Sequence, residues 1–222
     1  MSRRVLIVGA SGFGREILHW VDVAMRAGAV PDWEIGGFLD RNPNALDDFA
    51  IDIPIVGDPA TYDPQPEDLF LCAIGEPRTK LRVCRELAER GADFPPWVHP
   101  NASLAARSTI GRGTILLPDA GVSVDVTIGE FVTVNCRAGV GHDVVIGDGC
   151  TLNSFVNVAG GAVLGTGVSV NSHGVVAPRA KIGDFSTVGA GSVVVRRTKP
   201  ETTVLGVPAR RLQFPADESA PG

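Results

Sequence analysis

Two short stretches of this 222-residue chain combine residue types that could do chemistry. In His142-Asp143 an imidazole, which titrates near neutrality, stands beside a carboxylate that favours proton uptake; these are the ingredients of a general base. Gly139 and Gly141 keep its surroundings open. Successive strand residues face opposite ways, so the two side chains can touch only if the pair lies at a corner. The second stretch, Gly9-Ala10-Ser11-Gly12-Phe13-Gly14, joins an apolar run at 5–8 to an amphipathic stretch at 15–27. A strand-to-helix turn of this kind can hold a phosphate with free amides and the helix dipole. Its spacing, G-x-x-G-x-G, departs from the dinucleotide fingerprint G-x-G-x-x-G, and its glycines also suit a tight turn and close packing. Asp40 closes a second strand, where it could accept from a ribose or cap the turn Arg41-Asn42-Pro43; Gly75 closes a third. These strand ends should open on one sheet edge, which suggests a nucleotide or phosphate-bearing ligand without a nicotinamide.

The other histidines fit structural roles. His19 lies in the first helix, and His99 precedes Pro100. Counted in steps of 18, His99 and His173 fall on nearly the same side of the repeat described below, but about four coils or roughly 20 Å apart. With no H-x₃₋₅-H pair to start a site, no metal is expected. Cys72, Cys84, Cys136 and Cys150 form no C-x-x-C pair and read as reduced thiols. A net charge of -5, from 20 basic and 25 acidic residues, argues against nucleic acid or an anionic membrane as the main partner and leaves room for a local basic pocket. No stretch has the roughly 18 successive apolar residues of a membrane span, and the first apolar run is too short for a secretory signal. A soluble cytoplasmic protein is expected.

The elements that must position these residues come in two kinds. From residue 98 to 194 every sixth position is aliphatic, from Val98, Leu104 and Ile110 through to Val188 and Val194. This phase holds 17 of the 29 Val, Leu and Ile in the segment, so the other five phases share the rest. Ile110-Gly111, Ile128-Gly129, Ile146-Gly147, Leu164-Gly165 and Ile182-Gly183 recur at 18. Four residues after each aliphatic position, from Thr114 to Thr198, the side chain is small or β-branched. A period of six fits neither a helix nor an ordinary strand; it predicts short strands joined by regular corners, three to a coil, in a left-handed parallel β-helix. Residues 1–97 instead alternate strands (5–8, 33–39, 69–74) with helices (15–27, 77–90), which predicts a small Rossmann-like parallel α/β domain. The expected division is 1–97, 98–199 and a tail, 200–222, that frays at its end.

The chain resembles, along about nine-tenths of its length, bacterial sugar O- and N-acyltransferases of the sialic-acid O-acetyltransferase type, which include acetyltransferases of nucleotide-linked 4-amino sugars. The likeness rests on Gly9-Ala10-Ser11-Gly12, Phe38-Leu39-Asp40, Ala73-Ile74-Gly75, His99-Pro100, Asn135 seven residues before His142-Asp143, and Leu205-Gly206-Val207-Pro208-Ala209-Arg210. The resemblance implies a homotrimer with acetyl-CoA in the groove between two β-helices and a sugar nucleotide on the amino-terminal domain. It implies His142 as general base and Asp143 as the group raising its basicity. Ser11, Gly12, Phe13, Asp40, Arg41 and Gly75 match its substrate positions, and Thr151, Ser172 and Ala190 its acetyl-CoA positions. Backbone amides in the groove would stabilise the oxyanion of direct transfer. Phe13 and Thr151 stand where such amino-sugar enzymes often carry histidine, which leaves an O-acetyltransferase of a non-amino or sialic-acid-type acceptor as an alternative. The implied pathway is cell-surface glycan biosynthesis. A sugar nucleotidyltransferase is excluded by the missing G-x-G-T/S-R signature and a γ-type carbonic anhydrase by the histidine register. The non-enzymatic rival is a trimeric sugar-nucleotide-binding scaffold, against which His142-Asp143 argues.

Overall fold

The computed structural model describes residues 2–212, so the end of the expected tail lies outside the described residues. The amino-terminal half contains Arg3–Val8 (β1), Gly12–Arg26 (α1), Trp33–Leu39 (β2), Ile55–Gly57 (β3), Asp68–Cys72 (β4) and Pro77–Glu89 (α2). All four strands run parallel in the order β3-β2-β1-β4. In β1 the period of two divides a wholly apolar run between two cores. Val5 and Ile7 pack with Ile17 and Val21 of α1, while Leu6 and Val8 pack with Leu81, Cys84 and Leu87 of α2. A strand buried on both faces needs no polar alternation. The short edge strand β3 has no signal of its own in the sequence, and β4 ends at Cys72, before the expected Ile74.

Beneath this sheet edge Asp68, 1% exposed, accepts from Arg4 Nε at 2.8 Å, from Tyr62 Oη at 2.8 Å and from the Gln65 amide at 3.0 Å. Burial pushes its carboxyl up, but the Arg4, Gln65 and Tyr62 hydrogen bonds outweigh burial and hold it below the usual range. Burial, and then the bond to Asp68, push Tyr62 up to about 12.

From Trp97 onward two-residue strands build a three-sided parallel β-helix. Its first face runs from Trp97–Val98 to Thr187–Val188 and continues into Thr203–Gly206 and Ala209–Arg211; the second runs from Ser103–Leu104 to Val193–Val194, and the third from Thr109–Ile110 to Lys181–Ile182. Each strand pairs with the one 18 residues on, as Thr133 does with Thr151. The aliphatic phase fills the prism together with the small phase; Leu104, in the first coil, is 37% exposed and departs from the pattern. Polar members of the small phase are satisfied inside, as where Thr114 Oγ1 donates to the Gly129 carbonyl at 2.8 Å.

The repeating Ile-Gly pair has a steric cause. A Cβ at Gly111 would stand 2.7 Å from the Gly129 carbonyl carbon, and one at Gly147 would stand 2.7 Å from that of Gly165. Turning the corner, by contrast, falls on every sixth residue from 107 to 191, all with φ near +60°, and most of these are not glycine: Arg107, Asp125, Phe131, Asp143, Phe155 and His173 are among them. The left-handed region disfavours L residues by about 1–2 kcal/mol each, a strain the packed, hydrogen-bonded coils on either side offset.

The two halves meet over shared cores. Trp97, Ile115 and Leu117 of the β-helix join the α1 side, and Phe94 and Phe131 join the α2 side. Gly149 is bare where Leu81 of α2 lies across it; a Cβ there would be 2.6 Å from Leu81 Cγ. Arg85 Nη2 reaches Asp148 Oδ2 at 2.8 Å across the same seam. No helix among the described residues is long and apolar enough to cross a membrane.

Candidate active site

The glycine turn after β1 has two kinds of glycine. Gly9 takes φ +103°, and a Cβ on Gly14 would collide with the Gly9 carbonyl, so α1 can approach β1 only with glycine there. A Cβ on Gly12 would meet only the Arg15 side chain, at 3.8 Å, and the Ser11 side chain makes no capping bond to α1. Amides at the start of α1 are thus left without a side-chain cap, unlike those of α2, where Glu76 accepts from the amides of Arg78 and Thr79. Asp40 spends both oxygens on backbone: Oδ2 accepts from Ala10 N at 2.8 Å and Oδ1 from Asn42 N at 2.9 Å. It shapes the turn, which is the capping role its sequence context also allowed. Arg41 and Asp40 border a cavity of about 150 Å³ at the sheet edge with Gly9, Thr79 and Arg82.

Next to it, between α1 and the first face of the β-helix, lies a cavity of about 260 Å³ lined by Phe13, Glu16, Gly75, Thr133, Asn135, Thr151 and Asn153. Phe13 and Gly75 were expected at such a site; Thr151 joins them here, 8% exposed, with the substrate set. Ser172 and Ala190 are exposed on the corner between the first and second faces, on coils further down. Asn153 Nδ2 donates to Asn171 Oδ1 at 3.2 Å along that corner, and the hairpin closes it below, where Gly206 N donates to Ser192 Oγ at 3.0 Å. The end of the coil carries a larger cavity of about 710 Å³ whose wall includes Arg196, Arg197, Lys199, Arg210 and Arg211, a local basic pocket in an acidic protein.

His142 lies on a different corner, between the second and third faces, and is exposed. Asp143 has φ +59°, and this turn swings its carboxylate to His142, Nδ1 standing 2.7 Å from Oδ2. The contact that an extended strand forbids is made by the corner. With Nδ1 engaged, Nε2 is the free ring nitrogen, as a base requires. The ring lies over Gly160, whose missing Cβ would be 2.6 Å from Nε2. Within the chain, then, the cavity and His142 are not brought together.

His99 is structural: 3% exposed, its Nδ1 accepting from Asn101 N at 3.1 Å between Trp20 and Trp97, with burial lowering its pKa. His173 stacks on Phe155 at 4.9 Å. Among the described residues no three His, Cys, Asp or Glu gather as a metal-ligand set. The sequence reading missed Glu16, Thr133, Asn153, Gly160 and Lys80. Lys80 donates from Nζ to Thr151 Oγ1 at 2.7 Å. Its signal was helical spacing, since Lys80, Cys84 and Leu87 share the buried face of α2.

An α/β sheet whose carboxyl edge opens over a hexapeptide β-helix is an arrangement this chain shares with sugar acetyltransferases of known structure. Residues 4–87 match the family described as the PglD N-terminal domain. The acetyltransferase domain of PglB from Neisseria gonorrhoeae superposes with a TM-score of 0.83 at 25% identity, over 95% of this chain and 100% of that one. PerB from Caulobacter crescentus, in complex with CoA and GDP-perosamine, gives 0.83 at 26% over 94% and 97%. A histidine-to-asparagine mutant of the perosamine N-acetyltransferase of that organism, also with CoA and GDP-perosamine, gives 0.84 at 26% over 95% and 97%. A search of curated proteins by sequence returned no match. The amino-terminal segment thus matches a PglD-type domain, and the whole chain is similar in fold to hexapeptide-repeat sugar acetyltransferases. The more particular sialic-acid O-acetyltransferase type is not what these likenesses pick out.

Proposed function

We propose that this enzyme transfers the acetyl group of acetyl-CoA to the amino group of a nucleotide-linked sugar, as a homotrimer in the cytoplasm, for surface-glycan assembly. The observation that carries the reading is His142, with Nδ1 bound to Asp143 and Nε2 free on an exposed corner. The nucleotide would occupy the sheet edge by Asp40 and Arg41, its diphosphate the uncapped amides at Ser11 and Gly12, and its sugar the cavity of Phe13, Gly75 and Asn135. Acetyl-CoA would run along the corner of Ser172 and Ala190, with its phosphates toward the basic wall at the end of the coil. Since that corner and His142 are on different edges of one prism, a second copy supplies the base. The amine attacks the thioester carbonyl while Nε2 takes its proton, Asp143 favours the imidazolium, and collapse of the tetrahedral oxyanion expels CoA, which receives the proton back. Four free cysteines suit a reducing compartment.

The test is thiol release from acetyl-CoA with nucleotide-linked amino sugars. His142→Ala should lower kcat by about 10² to 10⁴ and leave acetyl-CoA affinity nearly unchanged. Full activity in that variant, or in a species that sediments as a monomer under assay conditions, would sink the reading.

A further inference from the structure

Lys80 is 1% exposed, whereas Arg78, Arg82 and Arg85 on the same helix are in solvent. Burial of this kind is costly for an ammonium unless its protons are taken up. They are: Nζ donates to Thr151 Oγ1 at 2.7 Å, Thr133 Oγ1 at 3.2 Å and the Cys150 carbonyl at 3.4 Å. Both threonines line the cavity between α1 and the first face. Each hydroxyl oxygen therefore accepts from behind. Among the described residues neither hydroxyl donates to a protein acceptor, and a hydroxyl has one proton to give. The proton of each is left for the cavity. Opposite, Glu16 of α1 presents a carboxylate, which when ionised only accepts.

We propose that Lys80 is a positioning residue for the sugar: it fixes the Thr133 and Thr151 hydroxyls as donors, so the cavity floor selects a sugar hydroxyl or ring oxygen and turns the amine away. An ammonium placed on that floor would meet two hydroxyls that already accept from Lys80 and have protons to give; toward Glu16 it finds a carboxylate, which when ionised only accepts. The inference rests on the cavity being the acceptor site, as argued above, and adds which face of the sugar it reads.

The experiment is steady-state kinetics on the full chain, using whichever of GDP-perosamine and dTDP-4-amino-4,6-dideoxyglucose the wild type acetylates. Lys80→Met fills nearly the same space without donors and should raise the KM for the sugar about tenfold to a hundredfold, while the KM for acetyl-CoA moves by less than about twofold. Lys80→Arg keeps the donors and should recover most of the loss, which a role in filling space would not require. Thr151→Val should raise the same KM, and the double variant should be no worse than the worse single one, because both remove one interaction. An unchanged sugar KM in Lys80→Met, or equal loss for both substrates, overturns the proposal. If Lys80→Met does not fold, Thr151→Val and Thr133→Val decide it: sugar KM values at wild-type level overturn it equally. A wild type that neither acetylates nor binds either sugar in calorimetry overturns the acceptor reading itself, and this inference with it.

Discussion

The β-helix and the α/β domain use the same residue types under opposite rules, and glycine shows it best. In the coil the strained corner positions are held mostly by residues other than glycine, such as Asp125, Asp143 and Arg179, because pairing to the neighbouring coils fixes the backbone there. In the α/β domain Gly14 is fixed above all by the Gly9 carbonyl, with no neighbouring repeat to share the load. A repeat spreads its constraints over equivalent coils; the α/β domain concentrates them at single close approaches. The candidate site lies where the two meet. Thr133 and Thr151 are equivalent members of one ladder that continues through Ser169, and Phe13, Glu16, Gly75 and Lys80 of the α/β domain are what set their level of the ladder apart as a cavity. The irregular partner selects one level of a regular scaffold.

If constraints are concentrated in the α/β domain, removing one buried charge there should be severe. Asp68→Asn should destabilise the fold by about 3 kcal/mol, the low end for breaking a buried pair because Arg4 is 33% exposed and shares its charge with water. Urea unfolding would measure it; a loss no larger than that of an exposed carboxylate would break the comparison. The pH dependence has a definite sign. The folded-state pKa of Asp68 is lowered, so its contribution is complete above the unfolded value of about 3.9 and is lost as pH falls through the folded one. The Asn variant should lack that part of the acid slope.

A smaller effect is expected on the coil, at the proposed base. Gly160→Ala places a methyl 2.6 Å from the His142 ring and must displace it, so kcat should fall about tenfold through lost orientation, with the sugar KM little changed. Wild-type kcat in a folded Gly160→Ala protein would show that the ring position is not held from below. The smallest effect tests the shared strain. Arg179→Gly relieves a φ of +61° but loosens the unfolded chain, so thermal unfolding should shift by less than about 1 kcal/mol either way. A large gain would mean that the corner is strained beyond what its neighbours offset.

How much of this was legible differs between the halves for the same reason. The aliphatic phase from Val98, the Ile-Gly steps and the small phase from Thr114 are written once per coil, and the prism they predict is the one observed. The strand β1 and both helices were legible from apolar spacing, while β3, three residues at an edge, left no pattern. Within the site, His142-Asp143 stood out because the pair is adjacent and falls outside the core phase. Glu16 and Lys80 did not, because each looks like an ordinary charge on an amphipathic helix until the surface it faces is known.

The sequence by itself determined the coil, its corners, the parallel sheet and the chemistry available at His142. All of these follow from relations between residues close in the chain or repeated at a fixed interval. Only the tertiary structure decided that Thr151 belongs with Phe13 and Gly75, that Lys80 stands behind both threonines, and that Asp40 spends its carboxylate on the turn. Those facts depend on how α1 and α2 dock on the first face, which is settled by burying Trp97, Ile115, Leu117 and Phe131 across the seam. Burial of that surface is non-directional and summed over many contacts, so no spacing within either half encodes which polar groups it brings within hydrogen-bonding distance.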